Sequence, residues 1–129
     1  MADKLKILII DDEPDTVEML KIAIERGNYD IITANDATDG IAKARAEKPA
    51  LIVLDVMMPG MNGIEACKTM KNDKDLSTIP IIMLTAMASK IPTTSFSISN
   101  GMDIEADEYF EKPVGPNQLL SRVNTMLGR

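Results

Sequence analysis

No histidine occurs in this chain. That removes the Ser–His–Asp type of catalytic centre, most zinc sites and any imidazole proton shuttle. It also means that the chain cannot carry a phosphohistidine, so a histidine phosphodonor would have to come from elsewhere. Cysteine occurs once, as Cys67, which excludes an intrachain disulfide. Cys67 falls in an amphipathic helical pattern and reads as a small core hydrophobe rather than a reactive thiol. Tryptophan is absent and aromatic residues make up only 3% of the chain. Leucine, isoleucine, valine and the ten methionines must therefore fill the core. Basic residues are outnumbered by acidic ones, 14 to 20, for a net charge of −6. A nucleic-acid-binding module would carry a basic stripe instead, so direct nucleic-acid binding by this chain is not expected. No signal-peptide pattern and no apolar run of membrane-spanning length is seen. Together with the lone cysteine, this predicts a reducing, cytoplasmic setting without membrane contact.

What is present is a regular alternation. The length of 129 residues fits one domain, residues 1–129. "LKILII" (5–10), "DIITA" (30–34), "ALIVLD" (50–55), "PIIMLT" (80–85) and "DEYF" (107–110) read as strands. Helical spacing places Val17, Leu20 and Ile24 on one face of a first helix, with Pro14 in its first turn and Gly27 at its stop. "ATDGIAKARAEKP" (37–49), stopped before Pro49, and "GIEACKTMKND" (63–73) follow as helices, the latter with Ile64, Cys67 and Met70 inward. A last helix spans 116–128, with Leu119, Val123 and Met126 on one face. Strands separated by helices imply an α/β fold with a doubly wound parallel sheet. Right-handed crossovers favour the order 2-1-3-4-5, and the polar second strand suits an edge. In such a sheet the ligand sits beyond the C-terminal strand ends, where strands one and three part.

The residues at those ends make an unusual set. Strand one runs into Asp11 and Asp12, strand three ends in Asp55, strand four in Thr85, and strand five is followed by Lys112. Each has an ordinary reading alone. Asp11 and Asp12 would enrich a helix N-terminus with negative charge, Asp55 would cap a turn, Thr85 would reflect β propensity, and Lys112 would be a solvated loop residue. The fold, however, brings all five to one edge. Three carboxylates repel each other unless positive charge sits among them, and Mg²⁺ takes carboxylate, water and phosphate oxygens. Carboxylates, metal, lysine and hydroxyl suit phosphoryl transfer to a carboxylate. Asp55 is the nucleophile in this reading, Asp11 and Asp12 hold the metal, and Lys112 and Thr85 bind phosphoryl oxygens.

The segments "LKILIIDDEP", "LIVLDVMMPGMNG", "IIMLTA" and "DEYFEKPV", in that order, resemble the receiver domain of two-component response regulators. The resemblance covers nearly the whole chain and implies the five-stranded, flavodoxin-like fold already expected. It implies phosphorylation of Asp55 by a histidine kinase or histidine phosphotransfer protein, and a switch read by a downstream effector or an output domain outside this chain. A phosphoacceptor of this kind takes part in its own phosphorylation and dephosphorylation but is not an enzyme acting on a separate substrate. By position, Asp12 and Asp55 would bind Mg²⁺ directly, Asp11 through water, and Met57 through its backbone carbonyl. The Lys112–Pro113 peptide would be cis, and Tyr109 would be the switch aromatic beside Thr85. Gly63 would make room for the third helix behind Asp55. Two other classes compete. An aspartate-nucleophile phosphatase would want Asp-x-Asp on the first strand, where Asp11 and Asp12 are adjacent. A receiver-like interaction module without phosphorylation would not need the five site residues. A flavodoxin-like nucleotide binder would need a glycine-rich phosphate loop after strand one, which is lacking. The interval from Thr85 to Lys112 is longer than is typical of receivers. Pro92 and the Ser/Thr-rich stretch disfavour a regular helix there, so residues 88–105 are expected to be irregular or only briefly helical and more mobile than the five strands, with Phe96 or Ile98 as an anchor or a partner contact.

Overall fold

The computed structural model describes residues 4–56, 62–85, 106–111 and 114–129. Lys6–Ile10 (β1), Asp30–Ala34 (β2), Leu51–Asp55 (β3), Ile81–Thr85 (β4) and Glu108–Glu111 (β5) form one parallel sheet. Its order is β2-β1-β3-β4-β5, as the alternation of elements and right-handed crossovers predict. The helices among the described residues are Pro14–Glu25 (α1), Ala37–Glu47 (α2), Gly63–Lys71 (α3) and Pro116–Met126 (α4).

The apolar runs explain the layering. β3 and β4 are buried along their whole length, and β1 from Ile7 onward. Successive side chains alternate between two cores. Leu8, Ile10, Ile52, Leu54, Ile81 and Met83 pack with residues of α2 and α3. Ile7, Ile9, Leu51, Val53, Ile82 and Leu84 pack with residues of α1 and α4. Each fully buried aliphatic side chain contributes about 1.5–3 kcal/mol against exposure, which holds the central strands rigid up to their polar ends. β2 is only half-buried before Ala34, as an edge strand should be.

Some element ends depart from expectation in instructive ways. α1 stops at Glu25, and the left-handed residue behind it is Asn28 (φ 67°), not Gly27. Gly27 is needed for space instead. A Cβ there would lie 2.6 Å from Tyr29 Cε2 and 2.7 Å from Leu120 Cδ1, so the α1 end packs closely onto Tyr29 and α4. α2 does stop before Pro49, as expected: it ends at Glu47, and Lys48 turns left-handed (φ 47°) ahead of the proline. A residue before proline is disfavoured in the helical region. α3 ends at Lys71, two residues early, and Ile64, Cys67 and Met70 do face the core, Ile64 half-buried. Residues 88–105, with Phe96 and Ile98, lie outside the described residues, as do Met57, Lys112 and Pro113.

Candidate functional site: the acidic end of the sheet

β1 delivers Asp11 to the C-terminal edge of the sheet, where it is 1% exposed. Two bonds fix it there. Its backbone N–H donates to the Ala34 carbonyl at 3.1 Å, and its Oδ1 accepts from the Glu13 N–H at 2.9 Å. The second bond forms a tight turn into Pro14, the first residue of α1. Asp12, next in the chain, is half-buried. Asp55 is the last residue of β3, beside Leu84 of β4, and is 2% exposed. One carboxylate oxygen from each of Asp11, Asp12 and Asp55 lies within 4.8 Å of the others. Like charges so close oppose one another. An all-oxygen set of this size, two members buried and one open, fits a hard divalent cation that keeps part of its water shell. Asp11 and Asp12 also line a cavity of about 410 Å³ between α1 and α2, shared with Pro14, Thr33 and Asp39.

The backbone behind Asp55 is held from α3. The Gly63 N–H donates to the Val56 carbonyl at 2.8 Å. A Cβ at Gly63 would overlap the Asp55 carbonyl oxygen and lie 2.6 Å from Val56 Cα, so only glycine lets the helix start this near the strand end. Asn62 caps α3 by accepting the Glu65 N–H at 2.9 Å, and Glu65 accepts the Asn62 N–H at 3.5 Å. Sequence reading overlooked this capping box, although the Asn-x-x-Glu spacing ahead of a helix announces it.

Thr85 ends β4, one residue beyond the partner of Asp55, and is 4% exposed. Tyr109 of β5 pairs with Met83 and Glu111 with Thr85. The two-residue period puts Thr85, Met83 and Tyr109 on one sheet face, with Tyr109 diagonal to Thr85. Tyr109 packs against the core that holds Cys67, Met70 and Met83. Burial pushes its phenol pKa up, and Cys67 and Asp107 add to the shift. The structure thus brings Asp11, Asp12 and Asp55 together, with Thr85 on the adjacent strand and Tyr109 behind it.

A sequence model of the response regulator receiver domain matches residues 7–124. The chain belongs to the response regulator receiver family. Among curated proteins it is 43% identical over 124 residues to the alkaline phosphatase synthesis transcriptional regulatory protein PhoP of Bacillus subtilis, covering 96% of this chain and 49% of that protein. It is 36% identical to the DNA-binding response regulator MtrA of Mycolicibacterium smegmatis, covering 96% of this chain and 51% of the relative. The receiver chain therefore spans about half the length of these relatives. A solved structure of a response regulator from Chloroflexus aurantiacus superposes with a TM-score of 0.86 at 28% identity, over 98% of this chain and 100% of that one. This is a receiver domain of two-component signalling, with an acidic cluster able to hold a metal. Among the described residues, no helix is long and apolar enough to cross a membrane.

Proposed function

We propose that Asp55 accepts a phosphoryl group from a phosphohistidine of a partner protein. The observation that carries this reading is the convergence of Asp11, Asp12 and Asp55 within 4.8 Å at the end of a rigid, buried strand. An Asp55 carboxylate oxygen attacks phosphorus, the bond from phosphorus to the donor's histidine nitrogen breaks, and an aspartyl phosphate forms. Positioning matters more than activation here, since a carboxylate nucleophile needs no base to unmask it. Asp11, Asp12, Asp55 and the Met57 carbonyl would hold Mg²⁺, which supplies positive charge for the transferring phosphoryl oxygens. Thr85 and Lys112 take the remaining phosphoryl oxygens. The chain has no histidine, so the donor group lies outside it, on a histidine kinase or histidine phosphotransfer protein in the cytoplasm. The chain is one receiver unit that helps its own phosphorylation, and its output is read by an effector or by a domain beyond it.

Magnesium should stabilise the native state by mass action, by about 2.7 kcal/mol at a hundred times its dissociation constant. Asp12→Ala should lose more of that stabilisation than Asp11→Ala, because Asp12 is the direct ligand in this reading. Thermal melts against Mg²⁺ concentration measure it, and a wild type whose melt ignores Mg²⁺ would refute the metal site.

The phosphoryl group then draws Thr85 toward it, and Tyr109 moves into the space released. This is a population shift driven by contacts made only in the phosphorylated state. Thr85→Ala should still take up phosphate but lose the response at Tyr109. Amide spectra of the phosphorylated wild type and variant decide the matter: identical shifts around Tyr109 would disprove the coupling.

A further inference from the structure

β5 is the shortest strand of the sheet. It has four residues and a single neighbour, β4. An edge strand pairs on one side only, so few ladder bonds hold its register. A slip that keeps the same side chains inward moves the strand by two residues, or about 6.6 Å. Such a shift would carry Tyr109 away from Thr85 and displace the chain leading out of β5.

One cluster at the opposite end of the sheet opposes that slip. Asp107, just before β5, donates its N–H to the Ile81 carbonyl at 2.9 Å. Its Oδ2 accepts the Ile81 N–H at 2.8 Å. Both bonds go to the first residue of β4, one step ahead of the Ile82–Glu108 pair. The same Oδ2 lies 2.9 Å from Lys71 Nζ, at the end of α3. Lys71 Nζ also donates to the Ile79 carbonyl at 2.9 Å and the Ser77 carbonyl at 3.4 Å. Its side chain is only 11% exposed, so this ammonium is committed to the site rather than to solvent. Lys71 therefore ties together the α3 end, the approach to β4 and the entry to β5.

We propose that Lys71 and Asp107 are positioning residues for phosphoryl transfer: together they pin the register of β5, and so set Tyr109 beside Thr85 and the strand exit ahead of Lys112. The proposal rests on the phosphoacceptor reading above. Neither residue lies at the acidic cluster, which stands on β1 and β3 and uses no β5 pairing. Mg²⁺ affinity is thus an internal control for folding.

The test uses the full chain as wild type, Lys71→Met, Lys71→Arg and Asp107→Asn. Initial rates of phosphorylation by acetyl phosphate are followed by intact mass, with Mg²⁺ affinity measured on the same samples. Lys71→Met should be slower by about ten- to a hundredfold, the scale of a misplaced reacting group. Lys71→Arg, which keeps the ion pair, should recover most of the rate. Asp107→Asn keeps an acceptor for the Ile81 N–H and loses the ion pair, so it should fall between. Mg²⁺ affinity should stay near the wild-type value throughout. A folded Lys71→Met protein with the wild-type rate overturns the pin. If Lys71→Met does not fold, a wild-type rate in Asp107→Asn overturns it. Loss of Mg²⁺ affinity in step with rate in both variants also overturns it, as general loss of packing. A wild type that takes no phosphate overturns the phosphoacceptor reading itself.

Discussion

Asp55→Asn should reduce phosphate uptake from acetyl phosphate to background, a loss of at least about a thousandfold, as expected when a nucleophile is removed. Asparagine has nearly the same shape, and Asp55 sits at the end of a strand buried along its length. The backbone bonds around it, such as the Val56 N–H to the Leu84 carbonyl at 2.9 Å, do not use the carboxylate. The fold should therefore survive. It should even melt no lower without Mg²⁺, because one of three crowded negative charges is gone. This pairing of a lost reaction with an undiminished melt separates chemistry from unfolding. Time courses of intact mass and thermal melts of both proteins provide the comparison. Equal uptake by the variant would move the phosphoacceptor elsewhere.

Gly63→Ala should give the largest change in stability from a single methyl group. The added Cβ would overlap the Asp55 carbonyl oxygen and stand 2.6 Å from Val56 Cα. Both neighbours are backbone, so no side-chain rotation relieves the clash. Either the start of α3 or the end of β3 must move, straining the Gly63 N–H bond to Val56 and the Asn62–Glu65 capping box. Overpacking of this kind costs about 1–3 kcal/mol, or roughly 5–10 °C in melting temperature for a chain of this size. Phosphate uptake should fall as well, since the displaced backbone carries Asp55. Gly115→Ala is the control. Its Cβ would approach nothing nearer than Gln118 Cβ at 3.8 Å, so its effect should stay within about 0.5 kcal/mol. Equal melts for the two variants would contradict the close approach of α3 to β3.

Much of this architecture is legible in sequence because it follows from local pattern. The unbroken apolar runs of β1, β3 and β4 can only be doubly covered strands. The chirality of crossovers then orders the sheet, and the strand order alone gathers Asp11, Asp12 and Asp55. Details resist reading where the cause is distant in the chain. Nothing near Gly27 reveals that Tyr29 and Leu120 crowd it. Nothing links Lys71 to Asp107 across 36 residues until β5 is laid beside β4. One other detail was readable but missed. Asn62 with Glu65 spells a capping box. Tyr109 and Phe110 show both cases. Their alternation predicts opposite faces, yet only the register with Met83 and Leu84 sets Tyr109 diagonal to Thr85.

The central claim is that Asp55 is the phosphoacceptor of an Mg²⁺-dependent site. Peptide mapping by mass spectrometry, after incubation of the wild-type chain with acetyl phosphate, tests it most directly when run with and without Mg²⁺. One phosphoryl group should appear, on the peptide containing Asp55, and only with the metal present. A phosphoryl group on another residue, or the same yield after Mg²⁺ is chelated, would contradict it.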